Sequence, residues 1–565
     1  MTLFSTIQTA NNALIASQLG LQVTGNNIAN ANTPGYIRER LLLAPATTQR
    51  YGNVLLGLGV QVEGVVQVID RFLEERLRSA TSDLANGEAQ ENVFVQLESL
   101  IGELSDTDLS TSLTSFFNSI HDIANQPDSV SVRNLAVLQG RTLTDDIRRL
   151  NGRIQSIRED VNNQIVAAAD DINGMLKEIA TLNEQIVRAE GGDTSASDAV
   201  GLRDRRSIIL SELAALTDIK VVEQEAGDVT VFTGGEYLVF AGIHREVTVT
   251  KTTDRGLSIA EIRIAETDAP ISTSSGKLAG LFTARDTVLG GLLDNLDGFS
   301  ETLIGEFNKL YSGGQGLSGH SVLESEFAVS DAGVALDQAG LVFQPANGGF
   351  EVQLTNSQTG LTTTTAIRID LNGLDDETSL DDLAAQLDAI DGLSASVTPQ
   401  RKLKLESESP LVTFAFANDT SGALAALGIN TFFSGSSAAD IGISSLLRAS
   451  PARFAASLGG VGEDAANANR LANLLTASLT SQNGTSLAIL YDQMTGDVTQ
   501  GAAVASSVAE GFRVFQQTLE GQHLAISGVN IDEETVRMIT YHRAFQASAR
   551  VISTINELLE TLVNL

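Results

Sequence analysis

The sequence predicts a mainly α-helical chain with β-rich insertions, in which both chain ends contribute to one terminal-helix coiled coil and one long helical bundle. Three observations predict it. Apolar residues recur every seven positions at both extreme ends. Helical periodicity fills most of residues 71–216. The texture then switches to alternating β-branched residues at 219–264, and to mixed character within 320–432.

At the N-terminus, Ile7, Leu14, Leu21 and Ile28 form one row, and Leu3, Ala10, Ser17 and Thr24 form a second row three residues later. This is a coiled-coil seam, large on one row and small on the other. At 1.5 Å per residue it runs about 40–45 Å. The stretch "GNNIANANTPGY" then closes the helix with Asn26, Asn27, Asn30 and Asn32 before Pro34 and Gly35. Asparagine competes with the helix backbone for hydrogen bonds, so four in succession require a reason. An asparagine amide offers both a donor and an acceptor. Pro34 at the second position and Gly35 at the third suit a type II turn.

Helices are expected at 161–190 and 200–216, separated by "GGDTSASD" at 191–198, which offers N-caps. Strands follow at 219–264 and a helix at 276–311. Further strands are expected near 340–370 and 395–417, with a short helix near 379–390, and helix resumes at about 465–522. At the C-terminus, "SGVNIDEE" opens the last helix. Asn530 or Asp532 caps it, and Asp532, Glu533 and Glu534 favour its dipole. Met538, Phe545, Ile552 and Leu559 make one row of this helix; Tyr541, Ser548, Ile555 and Leu562 make its companion. Its length is about 45–50 Å.

Two helices of similar length thus carry unmatched apolar seams. An isolated seam is marginal in water, so the two are expected to pack on each other and on copies from other subunits. Residues 1–50 hold Arg38, Arg40 and Arg50 against Glu39 alone, on a strongly acidic chain. The expected domains are 1–50 with 525–565 as the terminal coiled coil, and 51–218, 276–315 and 433–524 as a helical rod. Residues 219–275 form a β-rich insertion and 320–432 a mixed α/β insertion.

Composition narrows the function. A chain of 565 residues suits about three or four domains. With 70 acidic against 36 basic residues, net charge −34, it lacks the cations that displace counterions from nucleic acid. Cysteine is absent, which removes disulfides, thiolate metal sites and a cysteine nucleophile. The start lacks a basic region and an apolar core of about 7–15 residues, so no cleavable secretory signal is expected. No run of about 18 apolar residues predicts a membrane span.

Chemistry-bearing patterns are sparse. Gly314, Gly316 and Gly319 have G-x-G-x-x-G spacing, but they follow a helix where a dinucleotide site needs a strand; a flexible exit loop is the expectation. In "DLNGLDDETSLDD", Asp370, Asn372 and Gly373 miss the calcium-loop frame. A turn leading to a helix capped at Thr378 or Ser379 explains the same residues. The five histidines are scattered, and Ser318 near His320 lies in loop texture. No catalytic, cofactor-binding or metal site is therefore expected, and the chain is not expected to be an enzyme.

"NNIANANTPGY", comprising Asn26, Asn27, Ile28, Asn30, Asn32, Pro34, Gly35 and Tyr36, resembles the N-terminal signature of the bacterial flagellar rod, hook and hook-associated axial proteins. The C-terminal "SGVNIDEETVRMITYHRAFQASARVISTINELLETLVNL" resembles the other end of that family, nearest its hook–filament junction members. Two departures are visible. Ile37 stands where junction members often have serine, and His542 and Phe545 stand where Gln and Tyr are common. The resemblance implies terminal helices paired as a coiled coil along a central channel, a helical shell, and outer β-rich domains. It implies a homo-oligomer in a tubular assembly and an extracellular location at the hook–filament junction. Partners would be the hook protein, a second junction protein with the filament, and an export chaperone, with no nucleic acid and no membrane insertion. On this resemblance the assembly seam is Ile7, Leu14, Leu21, Ile28, Met538, Phe545, Ile552, Ile555, Leu559 and Leu562. The alternatives are a hook or distal-rod protein, and a secreted surface-binding protein.

Overall fold

The computed structural model describes residues 3–51, 54–102, 109–191, 199–374, 376–462 and 464–564. The expected loop at 191–198 lies, beyond Gly191, outside the described residues. In chain order, α1 (Leu3–Ala29) precedes strands β1 (Glu39–Pro45), β2 (Thr48–Tyr51), β3 (Val54–Gly57) and β4 (Val60–Gln67). Four helices follow: α2 (Arg71–Gly102), α3 (Leu109–Asn125), α4 (Val130–Glu190) and α5 (Val200–Leu216). Then come β5 (Lys220–Glu223), β6 (Val229–Thr233), β7 (Glu236–Phe240), β8 (Ile243–His244), β9 (Val247–Asp254) and β10 (Leu257–Ile264). Helix α6 (Gly276–Phe282) continues through a π-helical segment, Thr283–Leu289, into α7 (Gly290–Tyr311). The next region holds β11 (Val322–Glu324), β12 (Gly348–Asn356), β13 (Thr362–Ile369), α8 (Leu380–Asp388), β14 (Leu393–Val397), β15 (Leu403–Ser407) and β16 (Val412–Ala417). Short elements follow: α9 (Ala423–Leu427), β17 (Phe433–Ser434), β18 (Gly442–Ile443), α10 (Ser445–Ala449) and α11 (Ala466–Ala472). Two long helices, α12 (Leu487–Ser527) and α13 (Ile531–Val563), end the chain.

The chain divides into two compact units. One comprises Met1–Val93, Glu159–Thr287 and Ala503–Leu565; the other comprises Phe94–Arg158 and Val288–Ala502.

In the first unit, α4 supplies Val161, Ile165, Ala168, Ile172, Leu176, Ile179, Leu182 and Ile186, all buried at steps of three or four. That spacing places them on one helix stripe. Between them sit Asn162, Asn173 and Asn183, and asparagine is a poor helix former. Each uses its side-chain amide as a strand would use its backbone. Asn173 accepts from Val247 N–H at 2.8 Å and donates to Val247 C=O at 2.9 Å. Asn183 does the same to Val229, at 3.1 and 2.8 Å. Asn162 accepts from Ala260 N–H at 2.7 Å. The β5-β6-β7-β8 sheet and the β9-β10 hairpin are thereby fastened to α4. The π-helical segment presents Arg285, which is buried and donates to Asn162 Oδ1 and Ala260 C=O at 3.1 and 2.7 Å. Helix α2 packs on α12 through Leu73, Ala80 and Leu519. Gly87 allows that approach: a Cβ there would stand 3.3 Å from Ala509 Cα. The β1-β4 and β2-β3 ribbons fall where the sequence predicted no element.

The second unit has a core between two antiparallel sheets, β13-β12-β16 and β11-β15-β14, and helix α8. Ser379 caps α8, with Asp382 completing a reciprocal capping box. Asp370 is held by Arg368 at 2.7 Å and by Asn372 at 2.7 Å, so the turn-and-cap reading accounts for the acidic stretch. Phe307 lies at the centre of an aromatic cluster, with Phe116, Phe432 and Phe433 at ring separations of 5.4, 5.2 and 5.1 Å. The glycine stretch after α7 corrects its expectation. It is no flexible exit loop: residues 311–316 are buried. A Cβ on Gly316 would stand 2.7 Å from Arg453 Cα, and one on Gly314 would strike Asn467. Glycine is there because two segments cross at backbone contact. His320 is also a core residue. Its Nε2 lies 3.2 Å from Asn430 Oδ1, and burial lowers its pKa to about 4, Arg453 adding to the effect.

Phe307→Ala empties the centre of the aromatic cluster and is expected to cost about 3–5 kcal/mol. Urea unfolding followed by a probe in residues 288–502 checks this.

Candidate assembly surface

Helix α1 buries Ala10, Ala16, Ser17, Gly20, Val23, Thr24 and Asn27. Ala10, Ser17 and Thr24 come from the small row of the heptad, and none of the seven comes from the large row. The hydroxyls of Ser17 and Thr24 donate back to Ala13 C=O and Gly20 C=O, at 2.7 and 2.9 Å, which lets polar residues occupy a dry face. The face meets α13. A Cβ on Gly20 would lie 2.6 Å from the Tyr541 ring, so only glycine admits that ring. Seven residues further along α1, Asn27 donates to Glu534 Oε2 at 3.0 Å, seven residues back along α13. The two helices therefore run antiparallel.

The large apolar rows lie largely beside this contact. Ile7, Leu14, Leu21 and Ile28 are half-buried, as are Met538, Phe545, Ile552 and Leu559. Ile555 is buried, and Leu562 falls outside the described side chains. More apolar surface faces outward: Phe4 is 76% exposed on α1, and Val536 and Leu558 are 65% and 53% exposed on α13. Among the described residues, no helix is long and apolar enough to cross a membrane.

Of the motif asparagines, one is an internal hub. Asn27 is fully buried and uses all four of its hydrogen-bonding positions. Its amide nitrogen donates to Glu39 C=O at 2.9 Å and to Glu534. Its oxygen accepts from Tyr36 O–H at 2.8 Å and from Glu39 N–H at 2.9 Å. Asn30 donates to Asn26 C=O at 3.0 Å, closing the helix end. Asn26, Asn32, Pro34 and Gly35 are exposed. The turn forms as expected: Tyr36 N–H donates to Thr33 C=O at 3.2 Å, and Gly35 has φ +74°. Burial raises the Tyr36 hydroxyl pKa, and Glu39, Asp204 and Glu534 add to the effect. Ile37, the departure from serine, is 3% exposed and belongs to the core.

At the start of α13, Asn530 is the cap, accepting from Asp532 N–H and Glu533 N–H at 3.0 and 3.3 Å. Arg38 ties the turn to this region: its N–H donates to Ser527 C=O at 2.8 Å, and its guanidinium meets Glu533 at 3.3 Å. One partner was not foreseen. Asp204 of α5 accepts from Gln67 Nε2 and from Ile37 N–H. Ile208, one turn on, packs where a Cβ on Gly35 would fall, 2.5 Å away. Nothing in "LRDRRSI" marks these residues, because their partners lie more than a hundred positions away.

Three family descriptions match the chain. "Flagellar hook-associated protein FlgK helical domain" covers residues 94–324. "Flagellar basal body rod FlgEFG protein C-terminal" covers 520–565, and "Flagella basal body rod protein" covers 7–36. Flagellar hook-associated protein 1 of Bacillus subtilis is 22% identical, over 99% of this chain and 98% of that one. Its counterpart in Escherichia coli is 25% identical, over 99% and 100%. The chain is thus similar to flagellar hook-associated protein 1 along nearly its whole length. The solved flagellar hook junction protein FlgK from Burkholderia pseudomallei shares the fold, with a TM-score of 0.53 and 14% identity. The match covers 80% of this chain and 100% of that one.

Asn27→Ala would strand buried partners from three segments. It is expected to destabilise the first unit by on the order of 3 kcal/mol, since each unmade buried hydrogen bond costs about 1–3 kcal/mol. Chemical denaturation with a probe in residues 27–40 measures it.

Proposed function

We propose that this protein is a structural subunit of the bacterial flagellum that polymerises at the distal end of the hook and joins hook to filament. The observation that carries the reading is similarity to hook-associated protein 1 along nearly the whole chain, both terminal helices included. In this role α1 and α13 form a coiled coil whose half-buried rows, Ile7 to Ile28 and Met538 to Leu559, meet copies of the same chain in a tube. The terminal domain takes residues 1–50 and 525–565. The rod takes 51–218, 276–315 and 433–524, and the β-rich pieces at 219–275 and 320–432 face outward. The hook protein lies on one side, and the second junction protein with the filament on the other. The chain leaves the cell with an export chaperone.

The exposed apolar residues of the terminal helices, Phe4 and Ile15 on α1 and Val536, Ile539, Val551 and Leu558 on α13, support this reading. Deleting the gene is expected to leave hooks without filaments in electron micrographs, with flagellin in the medium. Missing hooks would move the protein to the hook or distal rod, and complete filaments would remove it from the axial structure. Leu14→Asp or Ile552→Asp is expected to leave residues 94–502 folded and to block incorporation. Normal swimming with either variant contradicts the assigned seam.

A further inference from the structure

One cavity reverses the charge balance of the chain. It measures about 400 Å³ and lies wholly within the second unit. That volume is typical of sites for small molecules. Its walls come from β11, from residues 428–431 after α9, from α10 and from the 3-10 turn Pro451–Arg453. Lys402, Arg448 and Arg453 line it against Glu324 and Glu326, on a chain with 70 acidic and 36 basic residues. Among the described residues, none of these three cations has an ion-pair partner, and none has its side chain in a hydrogen bond. The acids face other groups. Glu326 accepts from Gly435 N–H at 3.1 Å, and the exposed Glu324 lies near Lys404. Burial raises the Glu326 pKa; the Gly435 bond and Lys402 oppose that. Hydroxyls are free as well. Thr431 is 4% exposed and lines the cavity, and its side chain makes no hydrogen bond among the described residues. The same holds for Ser434 and for Ser444, which stands at the N-cap of α10 yet caps nothing with its side chain. A buried hydroxyl without a partner is a cost that a bound molecule removes.

We propose that this cavity binds a small hydroxylated carboxylate of the uronic acid class. Arg448 and Arg453 take the carboxylate, the free hydroxyls of Thr431, Ser434 and Ser444 take the hydroxyl groups, and Leu323 and Leu446 take the apolar C–H face. Each part of the ligand answers a group on the wall. A guanidinium is a planar fork that holds a carboxylate through two parallel bonds. Serine and threonine hydroxyls both donate and accept, so they suit alcohol groups better than a bare anion. Glu324 and Glu326 repel a ligand of high negative charge, which selects a single carboxylate over a polyphosphate. His320 also lines the cavity, and it is one of only five histidines in the chain, so its ring resonances report occupancy of the site.

The test is calorimetric titration of the full-length chain with D-galacturonate, with D-galactose, acetate and inorganic phosphate as separate probes, and with the histidine ring resonances followed by NMR. Galacturonate is expected to bind once per chain with a Kd of about 1 mM or tighter. Galactose lacks the carboxylate and acetate lacks the hydroxyls, so each is expected to bind at least about 10-fold more weakly, and phosphate likewise. Arg448→Gln and Arg453→Gln are each expected to weaken galacturonate by about 10-fold or more. Both are expected to fold, since neither side chain is bonded within the protein among the described residues. The His320 resonances are expected to move on binding in the wild type and to stay in place in Arg453→Gln. Absence of saturation at about 10 mM galacturonate overturns the proposal. So does galactose, acetate or phosphate binding as tightly as galacturonate, or unchanged binding in either folded arginine variant. These outcomes stand whether or not the chain joins hook to filament, which the deletion experiment decides separately.

Discussion

One asparagine amide joins the two ends of this chain. Asn27 binds the start of β1 through both polar groups of Glu39, the turn through Tyr36, and α13 through Glu534. Every hydrogen-bonding position it has is filled, and none faces water. A buried amide is tolerable only when fully satisfied, so the position of each partner is dictated by the others. The antiparallel contact at Gly20 and Tyr541, the bend at Pro34 and Gly35, and the docking of Asp204 all follow from that fixed point.

The same device recurs along α4. Asn162, Asn173 and Asn183 each grip a strand as another strand would, so a helix side chain completes a sheet's hydrogen bonds. Side-chain amides can do this because they carry a donor and an acceptor in the geometry of a peptide group. The β-rich region at 219–275 is thus fastened by a few directional bonds in addition to its apolar contacts.

The sequence was legible where periodicity is strong. Helix α5 spans the predicted 200–216, and the strands at 219–264 and the helix at 276–311 lie where alternation and helical spacing placed them. Asn530 caps α13, and Asp532, Glu533 and Glu534 fill its first turn, as their composition required. The ribbons at 39–67 were not legible: β2 and β3 have four residues each, β1 carries three successive leucines in place of alternation, and Gly64 interrupts β4. The glycines at 314–319 were read as slack when they mark close crossing; a sequence shows that a side chain is absent, not what stands in its place. At the terminal face, heptad spacing identified both rows but not which of them the chain would bury on itself. Small residues won on α1 because they let the backbones approach and admit the Tyr541 ring. Asp204 gave no signal, since its partners come from distant segments.

Asn27 and Glu534 are separated by 507 positions along the chain. A ribosome releases α1 first and α13 last, so for nearly all of synthesis the N-terminal helix has nothing to pair with. Closing so long a loop carries a large entropic penalty and comes late in folding. The joint between α1 and α13 is therefore a checkpoint: it forms only in a molecule in which both helices have been made.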